Sequence, residues 1–296
     1  MCYRMTGNAA DADDLVQETF IRALESPPRN LDEPLRPWLV RVALNLSRDL
    51  LRRRRRRGYV GAWLPSPIPT EELESPASYE PPAPSEDSPV ARYDMLESVS
   101  FAFLLALEAL TPSGRAVLLL RDAFDYSTQE TAEALGISES SVKVILHRAR
   151  RRMRDYDKDR MIPDAANRAS ARRALEQFLL YLNARDVKGL ERLLTEDVVS
   201  ISDGGGEVRA ALMPVYGRDK VLRLITGLAE KFGTLPRATF CILNGMPAIL
   251  HEFPNAISGV ASRFTTHCEI DGKGRIRRLN TVLAPSKLSA IKGVVP

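Results

Sequence analysis

Ser127-Thr128-Gln129-Glu130-Thr131-Ala132-Glu133-Ala134-Leu135-Gly136-Ile137-Ser138-Glu139-Ser140-Ser141-Val142-Lys143-Val144-Ile145-Leu146-His147-Arg148 is the stretch that decides how this chain is read. Thr128 to Leu135 has the composition of a short helix. Gly136 permits a tight turn, and Ser138 can cap a second helix running to about Arg154. Ala132, four residues before the glycine, is small enough to let two helices cross closely. Ile137, Val142, Ile145 and Leu146 supply the inner face of the pair, and Thr131 stands where an aliphatic side chain is expected. The outward face of the second helix then holds Ser138, Ser140, Ser141, Lys143, Val144, His147 and Arg148, with Arg151 one turn on. Short polar groups followed by cations suit a helix lying in a DNA major groove. The plain alternative is an ordinary helical hairpin with a solvated basic face.

Working outward, charge and proline divide the rest of the 296 residues. Arg52 to Arg57 is an unbroken arginine run. From Glu71 to Asp94 the sign reverses, with seven acids against Arg92 alone, and eight prolines fall between Pro65 and Pro89. Such a segment cannot hold a helix and has little apolar surface to bury, so it reads as a tether. Before it, Leu15, Phe20, Ala23 and Leu24 are expected to form a helix face, with Asp11, Asp13 and Asp14 near the helix start. Trp38, Leu39, Val42, Leu46 and Leu50 form a second stripe, entered through Pro37 and carrying Asn45 and Asp49 on its polar side.

Overall charge is only +4, from 42 Lys+Arg against 38 Asp+Glu. No apolar run is long enough to span a bilayer, and no secretion signal opens the chain, so a cytoplasmic protein with no membrane partner is expected. Three scattered cysteines exclude a disulfide framework and a zinc finger, and no cluster of metal-ligand type occurs. Neither a cofactor nor a metal is expected.

Two separated motifs resemble one family. Asp11-Ala12-Asp13-Asp14-Leu15-Val16-Gln17-Glu18-Thr19-Phe20 is similar to the polymerase-binding helix in region 2 of extracytoplasmic-function sigma factors. Trp38-Leu39-Val40-Arg41-Val42-Ala43-Leu44-Asn45-Leu46 with the arginines resembles the part of region 2 that opens the −10 element. Leu110-Thr111-Pro112 through Arg152 resembles region 4, the −35 reader. The resemblance implies that Asp14, Gln17 and Glu18 meet core RNA polymerase. It places Asn45, Asp49, Arg52 and Arg53 near the −10 bases and the outward face of the second helix on −35 DNA.

Beyond region 4 the sequence continues for more than a hundred residues. Helices are expected around Leu175, Phe178, Leu179 and Leu182, and around Leu190, Leu193 and Leu194. Strands follow at Val198 to Ile201 and Val208 to Val215, joined by a turn at Asp203-Gly204-Gly205-Gly206. A helix near Asp219 to Lys231 precedes strands at Ala238 to Leu243, Ala248 to Phe253, Ile257 to Ile270 and Ile276 to Leu283. Helices followed by a curled antiparallel sheet argue for an α+β domain. It resembles the cone-shaped SnoaL-like domain, which a subgroup of these sigma factors carries after region 4. Trp63-Leu64-Pro65 matches a motif of that subgroup, and Ala284-Pro285-Ser286-Lys287-Leu288 matches its tail motif in part.

The expected architecture is therefore multidomain. Residues 1–60 form region 2 (short at its N-terminus relative to the family), 61–95 the acidic proline-rich linker, and 96–160 the helix-turn-helix region 4. Residues 168–285 form the SnoaL-like domain and 286–296 a tail. The expected function is promoter recognition and transcription initiation with core RNA polymerase, and no enzymatic activity. Regulation in cis is expected through Trp63, Leu64 and Pro65 on one side, with Asp203, Gly204, Gly205, Gly206, Pro285, Lys287 and Leu288 on the other. A one-component ligand-sensing regulator, with an unknown small ligand in the C-terminal domain, stays open. So does a SnoaL-like cyclase or isomerase using Asp203, His251 and His267.

Overall fold

A computed structural model describes residues 1–28, 34–70, 92–232, 237–253 and 260–291. Among these, contacts separate two compact units, residues 1–58 with 92–160, and residues 59–70 with 161–291. The first unit is all helical: α1 (Cys2–Thr6), α2 (Ala9–Glu25), α3 (Leu35–Arg57), α4 (Phe101–Leu107), α5 (Pro112–Asp122), α6 (Thr128–Leu135), α7 (Glu139–Arg152) and α8 (Arg154–Lys158). Local chemistry sets several starts. The Asp11 amide donates to Asn8 Oδ1 at 3.0 Å, and the Gly114 amide donates to Thr111 Oγ1 at 3.0 Å. Each cap satisfies an amide that the helix itself leaves unpaired. α3 begins two residues before Pro37, which then occupies the first turn, where its missing N–H costs nothing.

One apolar core runs through this unit. Met5 of α1 and Leu44 and Leu51 of α3 pack with Phe103, Leu104, Leu107, Leu118 and Leu119 of α4 and α5 and with Val142 and Leu146 of α7. A smaller core joins Cys2, Ala12, Leu15, Ala43 and Leu46. The expected apolar face of α2 is corrected here. Leu15 is buried, but Phe20 is 56% exposed and Leu24 85% exposed. Phe20 follows Leu15 by five residues, about 140° around a helix of 3.6 residues per turn, so the two cannot share a face. The buried stripe is Ala12, Leu15 and Thr19, while Val16, Phe20 and Leu24 form a separate exposed one.

The second unit is α+β. It contains α9 (Ala165–Asn183), α10 (Val187–Leu193), β1 (Leu194–Asp203), β2 (Val215–Tyr216), α11 (Arg218–Phe232), β3 (Arg237–Leu243), β4 (Met246–Glu252), β5 (Arg263–Ile270) and β6 (Ile276–Val282). The sheet order is β2-β1-β6-β5-β4-β3. Its antiparallel meander is as expected, but β1 runs parallel to β6, so the sheet is mixed. Two further corrections concern strands. Of the expected Val208–Val215 strand only Val215 pairs with β1, together with the following Tyr216. Pro214 lacks a ladder donor, and Leu212 and Met213 are exposed. The strand expected from Ile257 begins at Arg263; residues 254–259 lie outside the described set.

One face of the sheet buries Ile249, Cys268, Ile270, Ile276 and Leu279 against Ala171, Ala174, Leu175 and Phe178 of α9. All three cysteines are free. Among the described residues no helix is long and apolar enough to cross a membrane.

Candidate nucleic-acid interface and the Asp203 clasp

The helix-turn-helix forms from the signals quoted at the outset, with one addition. Ser127 caps α6 and completes a capping box with Glu130. Gly136 adopts the left-handed conformation, φ 63°, and Ser138 caps α7 by accepting from the Ser141 amide at 3.2 Å. Val142, Leu146 and Ala149 face inward. Ser138, Ser140, Lys143, Val144, His147, Arg148 and Arg151 are all exposed on the opposite side, and Ser141 is half-buried. Arg150, one position off that face, instead grips buried Asp122 through two hydrogen bonds of 2.6 and 2.9 Å.

Thr131 is fully buried, and its hydroxyl has no partner among the described residues. Thr131→Val, which keeps the shape and deletes that hydroxyl, is expected to raise stability by about 1 kcal/mol. A urea titration of the full chain checks this; an unchanged or lowered midpoint would count against it.

On α2, Asp14 and Gln17 are exposed and Glu18 is half-buried, held by Arg22 at 2.8 Å. They flank the exposed Val16–Phe20–Leu24 stripe, giving a surface with acids around an apolar strip. On α3, Asn45, Asp49, Arg52 and Arg53 are all exposed, with Asp49 and Arg52 paired at 2.8 Å. The remaining arginines of the run are not all free. Arg54 donates to the Thr6 carbonyl at 2.9 Å and to Glu108 at 3.0 Å, and Arg55 donates to the Leu110 carbonyl. Arg115, which carried no signal in the sequence, is buried and donates to the Met5 carbonyl at 2.6 Å, the Leu107 carbonyl at 2.9 Å and Glu108 at 2.6 Å. Burial pulls its guanidinium below the usual range, against the opposing pull of Glu108.

In the second unit, residues 59–70 form a strap. Asp203, at the end of β1, is 0% exposed, and its carboxylate accepts four hydrogen bonds. The donors are the Tyr59 hydroxyl at 2.7 Å, the Leu64 amide at 2.7 Å, the Gly205 amide at 2.9 Å and Lys287 Nζ at 2.6 Å. Lys287, 3% exposed, also donates to the Leu64 carbonyl at 2.5 Å. Its ammonium lies 4.7 Å from the ring centres of both Tyr59 and Trp63. The structure therefore brings Trp63-Leu64-Pro65, Asp203 and Lys287 together. Leu288 is buried in the turn beginning at Pro285.

The glycines have separate reasons. A Cβ at Gly204 would meet the Val208 carbonyl at 2.5 Å, whereas Gly205 and Gly206 have φ of 61° and 76°. The far end of the strap is tied as well. The Ile68 amide donates to Asn244 Oδ1 at 3.0 Å, the Asn244 amide to the Ile68 carbonyl at 2.9 Å, and the Gly245 amide to Thr70 Oγ1 at 2.9 Å. Tyr59, Thr70 and Asn244 lay outside the sequence reading, since no motif marked them. The acidic, proline-rich residues 71–91 lie outside the described set.

The acid–base grouping of Asp203, His251 and His267 does not assemble. His251 stands opposite Phe264 and His267 opposite Ala248, three residues from His251 on β4, so the two imidazoles point to opposite faces. Burial lowers them to about 4 and about 3, which keeps both neutral.

An exposed cationic helix after a tight turn, joined to a second helical module bearing an acidic and apolar surface, is an arrangement that suits a DNA-binding factor with a protein partner. The sigma-70 region 2 family matches residues 1–57, and the sigma-70 region 4 family matches residues 100–153. The ECF RNA polymerase sigma factor SigJ of Mycobacterium tuberculosis is 33% identical over 238 residues, 79% of this chain and 70% of SigJ. The probable ECF RNA polymerase sigma factor SigI of the same organism is 26% identical over 298 residues, covering 99% of this chain and 91% of SigI. The crystal structure of SigJ matches with a TM-score of 0.71 at 27% identity, over 98% of this chain and 93% of that one.

The chain belongs to the ECF RNA polymerase sigma factors. It is a non-enzymatic initiation factor that binds RNA polymerase and directs it to promoters.

Proposed function

We propose that α7 reads the −35 duplex, α3 engages the −10 element, α2 docks on core polymerase, and the C-terminal unit regulates all three in cis from the cytoplasm. The observation that carries the regulatory part is the Asp203–Lys287 pair closed on the strap. A buried ion pair costs desolvation on both sides, so it serves best where it specifies one partner geometry. Here that partner is the backbone of Leu64. Residues 59–70 follow α3 directly in sequence and precede region 4. Holding them withdraws twelve residues from the tether between the two DNA-reading modules. Releasing them returns about 40 Å of contour length at ~3.3 Å per residue, which favours the separated modules that two promoter elements require.

The α2 assignment rests on charge and on surface. Acids are poor phosphate partners, and an exposed apolar strip ringed by acids suits a protein surface. For α7, Lys143 and Arg148 stand on the exposed face with no ion-pair partner among the described residues. DNA interactions of such cations are worth about 1–3 kcal/mol when bidentate to a base and less to phosphate.

Run-off transcription with core polymerase, on a template selected by the full chain, tests the proposal. The intact chain is expected to support transcripts. Lys143→Ala with Arg148→Ala is expected to lower duplex affinity, with the log–log salt slope falling by about 1 for each phosphate left without its cation. Absence of transcripts with intact, polymerase-bound chain would defeat the promoter-reading assignment.

A second reading concerns a small ligand in the C-terminal unit. It is favoured by His251, which is buried on the helix-facing side, stacks on Phe264 at 4.4 Å and has an Nε2 without a partner among the described residues.

A further inference from the structure

The sheet face that presents Asp203 can be followed strand by strand through its register. Asp203 lies opposite Val282, Val282 opposite Thr265, and Thr265 opposite Leu250. Two residues along, Asn280 lies opposite His267 and His267 opposite Ala248. Side chains alternate with period two, so these residues share the Asp203 face, away from α9. The strap is anchored at two opposite corners of this face, Leu64 at the end of β1 and Ile68 and Thr70 at the β3–β4 turn. Its intervening residues are buried. At the start of β5, Arg263 donates to the Ile291 carbonyl at 2.7 Å.

A floor beneath Leu64, Pro65 and Pro67 would ordinarily be apolar throughout. Leu250, Val282 and Ala248 conform, but Asn280 and Thr265 do not. Asn280 is 1% exposed, and neither its carboxamide oxygen nor its nitrogen meets a partner among the described residues. The same holds for the fully buried Thr265 hydroxyl. Thr265 pairs with Val282 and Asn280 is two residues away, so the two side chains are diagonal neighbours, within reach of one bridging molecule. Together they offer two amide N–H donors, a carbonyl acceptor and a hydroxyl that can do either.

Among the described residues the charges that share this face are paired, Asp203 with Lys287 at 2.6 Å, Arg263 with Glu252 at 3.3 Å and Arg278 with Glu269 at 3.4 Å, and His267 is held neutral by burial. An anion or a metal ion would meet no uncompensated charge there. Buried polar groups left unpaired by protein are met by internal water, which makes about three hydrogen bonds per molecule.

We infer that the strap is seated on a hydrated floor, with buried water held by Asn280 and Thr265 beneath residues 64–70. Such a seat is weaker than an apolar one of the same shape. Lifting the strap hydrates groups that are already hydrogen-bonded to water, so the strap opens before the sheet does.

Thr265→Val and Asn280→Leu, singly and together in the full chain, keep side-chain shape and remove the water ligands. Water oxygen-17 relaxation dispersion is expected to show a long-lived population that the double variant loses. Amide exchange at Leu64 and Ile68 is expected to slow roughly tenfold per substitution, the effect of burying an aliphatic group beneath the strap in place of a hydrated polar one, with β5 and β6 amides unchanged. Thr265→Val alone decides the matter if the leucine variant fails to fold. A dispersion that persists unchanged, or strap amides that exchange at the same or a faster rate, overturns the inference.

Discussion

Lys287→Met is expected to unseat the strap, weakening its hold by about 3–5 kcal/mol, the cost of leaving a buried charge without its partner. Methionine preserves most of the volume and the apolar stem, so packing is nearly held while the ammonium is removed. Asp203 would keep its hydrogen bonds from Tyr59, Leu64 and Gly205, yet its charge would stand in a fully buried site. The cheapest relief is local. If residues 59–64 leave, water reaches the carboxylate and the sheet stays folded. Trp63 also loses its cation 4.7 Å away, so its fluorescence reports the release directly. The Leu64 amide should exchange about 10²–10⁴ times faster.

Asp203→Asn in the Lys287→Met background is the discriminating control. It removes the stranded charge and is expected to restore much of the protection, because deleting both members of a buried pair costs far less than deleting one. Unchanged Leu64 exchange in Lys287→Met would dismiss the clasp as the element holding the strap. Loss of the whole sheet in Lys287→Met, unrelieved by Asp203→Asn, would instead make Lys287 a general packing residue.

How much of this was legible follows the range of the forces involved. The helix-turn-helix could be read because its signals are local: Gly136 at the turn, Ser138 at the cap and a 3.6-residue apolar period on α7. The same reasoning misassigned Phe20 and Leu24. Both are apolar, and only the neighbours supplied by α1 and α3 decide that Leu15 is buried while they are not. Val208–Val215 has strand-like residues, but Gly204 brings the Val208 carbonyl and Ala210 too close to a turn for a ladder to form.

Non-local facts were harder. The parallel pairing of β1 with β6 joins residues about eighty positions apart and leaves no periodic trace. Trp63-Leu64-Pro65 was found through resemblance and the glycine turn through its local composition, whereas Tyr59, Thr70 and Asn244 act through individual hydrogen bonds that no composition announces. Arginine is usually a surface residue, so the burial of Arg115 ran against the ordinary expectation for its type.

That buried arginine supplies the other large effect. Arg115→Met is expected to open the helical unit, with a loss of about 3 kcal/mol, since it strips hydrogen bonds from the Met5 and Leu107 carbonyls at about 1–3 kcal/mol each. Glu108 would retain Arg54, so the ionic part is only partly removed. What disappears is the fork itself: one planar guanidinium reaches α1 with one nitrogen and α4 and Glu108 with another. Arg115→Lys should therefore rescue little, because an ammonium cannot reproduce that geometry.

The consequence for function follows from where the fork ends. Met5 belongs to the region 2 side and Leu107 and Glu108 to the region 4 side, so the fork holds the two DNA-reading modules against each other. On the proposed reading, a state with the modules packed competes with one in which they are spread along promoter and polymerase. Weakening the packed state by about 3 kcal/mol shifts that equilibrium by about 10²-fold, and polymerase affinity should rise until the spread state is no longer the limiting population. Spin labels at Glu25 of α2 and Glu133 of α6 should show a longer and broader distance distribution in Arg115→Met, while −35 duplex binding stays intact as evidence that α6 and α7 remain folded. A variant that loses stability with its label distance unchanged would make Arg115 a core residue of region 4 alone, and the packed arrangement would then need another fastening, for which Arg54 and Arg55 are the remaining candidates.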